Sequence, residues 1–186
     1  MKKSWFDVRL YREGLRQLRV MGILSLVLMT LAAVLVPVGR AIGAASSQAA
    51  YLARGEAFAP ETLTFLNAHP LLILSFLVLA PVMSLYLFHF LDRRDACDFY
   101  HAIPQTRGCL YRSFAAALAT WLLAVIFVST LASVATCQLL GRYLALTFSS
   151  VPVVLLNLIA ASLLVAAAVL LATSLTGTLF TNMVVA

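Results

Sequence analysis

Charge is scarce in this chain, and acidic charge most of all. Of 186 residues, 11% are charged, with 7 Asp and Glu against 13 Lys and Arg, while 63% are hydrophobic. A water-soluble domain carries about a quarter charged residues. So poor a polar inventory cannot cover this much apolar surface, and the bilayer is the natural solvent. Several functional signatures are missing as well. There is no G-x-x-x-x-G-K-S/T, so no P-loop cradles a nucleotide. There is no H-E-x-x-H and no G-x-S-x-G. No intramembrane pair of ionisable groups suits a proton-coupled carrier. The chain holds no internal repeat and no low-complexity segment.

What it does hold is long apolar runs. A helix that crosses a bilayer needs about 20 apolar residues. Four segments meet this: 20–43, 70–91, 110–140 and 151–173. The third is long, which implies tilt or an extension beyond the bilayer. A fifth run opens at 178 and stops at Ala186, so the chain reads as the N-terminal portion of a larger protein. Helices are expected throughout, because an isolated strand leaves its backbone unsatisfied in lipid. The expected fold is an all-α integral membrane protein, one transmembrane domain over 1–186. The first apolar run exceeds the about 7–15 residues of a signal peptide, so it is read as a retained span.

Lys and Arg set the orientation. Lys2, Lys3, Arg9, Arg12, Arg16 and Arg19 precede the first span, and Arg93, Arg94, Arg107 and Arg112 follow the second. The 40–69 segment has only Arg40 and Arg54, and the 141–150 segment only Arg142. The N-terminus and the 92–112 loop are therefore expected in the cytosol, in a multi-pass protein of the plasma membrane. The net charge of +6 then reflects topology and anionic lipid headgroups, and no nucleic acid is invoked. Cys97 and Cys109 fall inside and Cys137 outside, which excludes a disulfide framework.

Residues 4–19 read as a helix lying on the membrane. Val8, Tyr11, Leu15 and Leu18 form one face, and Arg9, Arg12, Arg16 and Arg19 another. Trp5 and Phe6 suit the headgroup level. The 44–69 stretch reads as a small polar loop, with a short helix from about Glu61 entered at Pro60. Pro81 should kink the second span or mark a place where helices slide. His69 reads as interfacial, and His89 as snorkelling or pore-lining. Asn157, deep in the fourth span, is expected to hydrogen-bond another helix, ahead of touching a substrate.

One stretch interrupts the apolar pattern: DFYHAIPQTR, 98–107. Pro104 ends any helix before it, and Thr106 can cap the next. Three readings compete for the 92–109 loop. Cys97 and His101, with Asp98 or Cys109, form no common closed zinc spacing. Asp95, Asp98 and His101 carry acid–base groups but no evident nucleophile or pocket; on that reading the chain is a membrane-embedded enzyme or a sensor. Phe99, Tyr100 and Ile103, ringed by Arg and Asp, have the make-up of a docking anchor.

The segment D-F-Y-H-A-I-P-Q-T-R-G-C-L resembles the D-F/Y-Y/H-H-S-L-P-x-x-R-x-x-L loop of ABC-2 type exporter permeases. Its place between the second and third spans matches, and the basic N-terminal segment is similar to that family's elbow helix. T-G-T-L-F-T-N, 176–182, is a weaker echo. The resemblance implies a permease without enzymatic activity or cofactor of its own. It implies two partners: a separate ATP-binding subunit, and a second permease, identical or different. In that arrangement the loop is a coupling helix. Phe99, Tyr100, His101 and Ile103 fill a cleft on the ATPase. Asp98 and Arg107 make rim or stapling pairs, and Pro104 fixes the reversal. Trp5, Arg9, Arg12, Arg16 and Arg19 belong to the elbow, which can also touch the ATPase.

Overall fold

The computed structural model describes residues 5–55, 60–64, 70–88 and 107–176. It is mostly helical. In chain order come α1 (Val8–Gln17), α2 (Arg19–Ala53), β1 (Glu61–Leu63), α3 (Pro70–Phe88), α4 (Arg107–Leu139), β2 (Leu144–Leu146) and α5 (Ser150–Thr176). Among the described residues α2, α4 and α5 are long and apolar enough to cross a membrane, and α3 is a shorter apolar helix. Their outward faces carry Leu28, Leu131, Leu156 and Leu164, each more than three-fifths exposed. Such faces call for an apolar solvent.

The residues fall into two compact units. In the first, the starts of α2 and α4 meet the ends of α3 and α5, and α1 joins them. Its core is built on Leu18, Met83, Leu87, Phe114, Leu118 and Leu122, all nearly or fully buried. In the second, the ends of α2 and α4 meet the starts of α3 and α5. There β1 and β2 pair in parallel, with Glu61 opposite Leu144, Thr62 opposite Ala145 and Leu63 opposite Leu146.

Hydroxyls in these apolar helices turn back on their own backbone. Ser84 Oγ donates to the Ala80 carbonyl at 2.7 Å, and Thr130 Oγ1 to the Ile126 carbonyl at 2.7 Å. Each buried donor is thereby satisfied without a partner helix.

Several expectations change. α2 does not end near residue 43; it runs to Ala53. The 44–53 stretch is rich in Ala, the best helix former. Ser46 and Ser47 both donate to the Gly43 carbonyl, so their hydroxyls do not compete with the helix. The stop is Gly55, whose φ of 73° is left-handed and whose N–H reaches the Leu52 carbonyl at 3.1 Å. The short helix expected at Glu61 is a strand. Three residues cannot complete helical bonding, and β2 offers ladder partners instead. Pro81 lies inside α3, where the sequence places it, and Pro37 likewise lies inside α2. Asn157 stands on an exposed face of α5 and makes no inter-helix hydrogen bond among the described residues. On α1 the buried positions are Leu10 and Gly14, followed by Leu18 at its C-cap, while Val8 is exposed. His69, His89, most of the 92–109 loop and the run from 178 lie outside the described residues.

Candidate functional site

Asp98, Phe99, Tyr100, His101, Ile103 and Pro104 lie outside the described residues, with Asp95 and Cys97. Arg107 is the first residue of α4. What the structure places is the seat of this loop: the helix ends that carry it, and the element docked on them.

The departing helix ends at Phe88 and the returning helix begins at Arg107. The Phe88 ring lies 5.5 Å from Tyr111 and 6.4 Å from Phe114, centroid to centroid. Both distances suit tilted aromatic pairs, worth about 0.5–1.5 kcal/mol each beyond burial. An aromatic knot thus joins the end of α3 to the first turns of α4.

α1 sits on the same turns of α4. Asp7 opens α1 as its N-cap; its backbone is extended and its carboxylate accepts from the Arg9 N–H at 2.8 Å. The Asp7 N–H donates to Ser113 Oγ at 3.2 Å, and Ser113 Oγ donates to the Cys109 carbonyl at 2.9 Å. One hydroxyl therefore ties α1 to α4 and uses both of its bonding modes. A turn further along, Tyr11 Oη and Thr120 Oγ1 are 3.0 Å apart. Thr120 spends its proton on the Ala116 carbonyl, so Tyr11 is the donor. Trp121 Nε1–H donates to the Leu15 carbonyl at 3.3 Å. That carbonyl lies in the last turn of α1, where backbone acceptors lack helical partners. Between these bonds Gly14 lies against Ala117 and Phe114.

The other face of α1 carries Arg9, Arg12 and Arg16, all exposed, with Arg19 next to it on α2. Arg16 reaches Glu13 at 4.0 Å, an exposed pair worth little. At the start of the chain the Arg112 guanidinium stacks 4.6 Å from the Trp5 ring centroid.

No protein-family model, curated protein or solved structure matches the chain. The reading of the site therefore rests on its residues.

Among the described residues no cluster of three or more His, Cys, Asp or Glu could hold a metal ion. Cys109 and Cys137 are both buried, and neither is in a disulfide. The seat is made of hydrogen bonds, stacked rings and close packing. It holds α1 and the end of α3 against the first turns of α4. Sequence reasoning missed its parts: Ser113, Thr120, Trp121 and Gly14, and Gly22 at the start of α2, which faces Trp121. The available signal was glycine inside a helical pattern, which usually has a packing reason.

Proposed function

We propose that this chain is a transmembrane permease subunit of an ATP-driven ABC exporter. The reading assigns ATP hydrolysis to a separate subunit and no catalysis to this chain. The loop between α3 and α4 is the coupling element, held on the cytosolic side, and the N-terminus is cytosolic. A second permease subunit, identical or different, completes the pathway across the plasma membrane.

Two kinds of support meet here. The D-F-Y-H-A-I-P-Q-T-R-G-C-L pattern resembles the coupling loop of ABC-2 permeases. The observation that carries the reading is the seat beneath it. Phe88, Tyr111 and Phe114 join the two helices that bear the loop, and Ser113, Thr120 and Trp121 fasten α1 to one of them. A push on the loop would therefore reach α3, α4 and α1 together. That is what a coupling element needs, since binding energy at one site must bias a packed membrane element with two arrangements. The exposed Arg9, Arg12 and Arg16 face of α1 suits lipid phosphates.

The test is co-purification. The protein is isolated from its native membrane with the 95–104 stretch intact or replaced by Gly-Ser. An ATP-binding subunit carrying a P-loop is expected with the intact loop and lost with the replacement. Tyr100→Ala and His101→Ala should keep the protein folded yet remove its stimulation of ATP hydrolysis. Failure to recover an ATPase with the intact loop would overturn the reading.

A further inference from the structure

Within the first unit, α4 and α5 leave a half-open groove of about 170 Å³. Ala115, Leu118 and Ala119 line one wall, and Leu163, Ala166 and Ala167 the other. Every lining side chain is Ala or Leu. The alanines open the slot, because a longer side chain at those positions would fill it. A dry apolar cavity of roughly 150 Å³ already takes up benzene. This one has room for a stretch of hydrocarbon chain. It has no polar group to satisfy a peptide backbone, and a helix about 10–12 Å across does not fit it.

The stripe of α4 that lines the groove also carries a cation. Arg112 shares a helical stripe with Ala115 and Ala119, one turn nearer the start of α4. It is exposed, its guanidinium stacks on Trp5, and it pairs with no carboxylate among the described residues. Trp and Arg together mark the headgroup level of a bilayer. One turn deeper, about 5.4 Å along the helix, the acyl region begins. Cation, headgroup level and apolar slot thus fall in order along one helix face.

We propose that this groove is a binding site for one anionic membrane phospholipid, with an acyl chain between α4 and α5 and the phosphate on Arg112. The site depends on the bilayer placement of these helices and not on the exporter reading, so either can fail alone. An occupant held here would brace α4 beside the turns on which α1 docks.

The full chain would be exchanged into mixed phosphatidylglycerol and phosphatidylcholine, washed in detergent, and its retained lipid counted by native mass spectrometry. One phosphatidylglycerol per chain is expected. Ala119→Leu and Ala167→Leu should each abolish retention with helix content unchanged. Ala167 is exposed, so its variant decides the matter if Ala119→Leu fails to fold. Arg112→Gln should keep a bound lipid but cut the preference for phosphatidylglycerol by about fivefold. Three results would overturn the site: equal retention of the two lipids by the unaltered chain, retention that survives Ala167→Leu, or a dimer that Ala167→Leu disperses, which would give the groove to a second copy.

Discussion

The contacts that decide how α1 and the start of α2 sit on α4 are few and close. A Cβ added at Gly22 would lie 2.5 Å from Trp121 Cδ2 and 2.5 Å from Cε3. Those atoms are in the ring itself, and the indole is held by its bond to Leu15, so it cannot swing away cheaply. At Gly39 the same Cβ would meet nothing within 4 Å. One substitution should therefore have opposite signs at two helical glycines. Gly22→Ala should destabilise by about 1–3 kcal/mol through overpacking. Gly39→Ala should be neutral or stabilise by up to about 1 kcal/mol through helix propensity. Thermal unfolding of the purified chain in detergent checks both, and equal midpoints would show that the indole does not bear on Gly22. The sequence carried the glycines but not their difference. Both lie in apolar helical surroundings, and only the neighbour across the interface separates them.

At the scale of elements, the segments joining the apolar helices differ most from expectation. The 44–53 stretch looked polar because it is short of large apolar groups, yet Ala and back-bonded Ser are compatible with helix. Glu61–Leu63 lies too far from its partner in the chain for any local pattern to reveal it; Leu144–Leu146 is some eighty residues on. The pairing is checkable. In a chain with its native cysteines replaced, Thr62→Cys with Ala145→Cys should form a disulfide on mild oxidation, because register neighbours have the Cα spacing that a disulfide needs. Thr62→Cys with Thr147→Cys, two residues off register and so about 8 Å apart, should not. If neither pair forms, the ladder is absent. If the first forms, the segments after α2 and after α4 lie at the same end of the protein. α1 shows a subtler miss. Its cationic face was legible from the spacing of Arg9, Arg12 and Arg16, and Val8, Tyr11, Leu15 and Leu18 read as an apolar face turned to the membrane. The structure instead buries Leu10, Gly14 and Leu18. A hydrophobicity pattern weights large apolar groups, whereas close docking against α4 selects a small residue at its centre.

For the whole molecule, the alternation of Lys and Arg predicts which ends face the cytosol. Single cysteines in an otherwise cysteine-free chain test it. A membrane-impermeant maleimide added outside intact cells should label Ser47→Cys, which is exposed, and should reach Arg9→Cys only after the membrane is opened. The reverse pattern would invert the topology and put the 92–109 loop outside, where no ATP-binding subunit could meet it. The proposed coupling site was legible only as a pattern of residues. Aromatics, His and Pro between two apolar runs stand out by contrast, but their partner surface is not written in them. Their seat was not legible at all, because Phe88, Tyr111 and Phe114 each look like ordinary members of apolar runs.

By itself the sequence determined the apolar excess, the helical character and the number of long apolar runs. Those follow from how much apolar surface there is and from the need of a backbone in lipid to bond to itself. It also determined where Lys and Arg cluster along the chain, since that is counted residue by residue. Tertiary structure alone decided that β1 pairs with β2, that Asn157 faces outward and that α1 docks through Ser113, Thr120 and Trp121. Each of these depends on a neighbour distant in sequence. An isolated helix has several faces of similar apolarity, and only the shape of the surface opposite selects one.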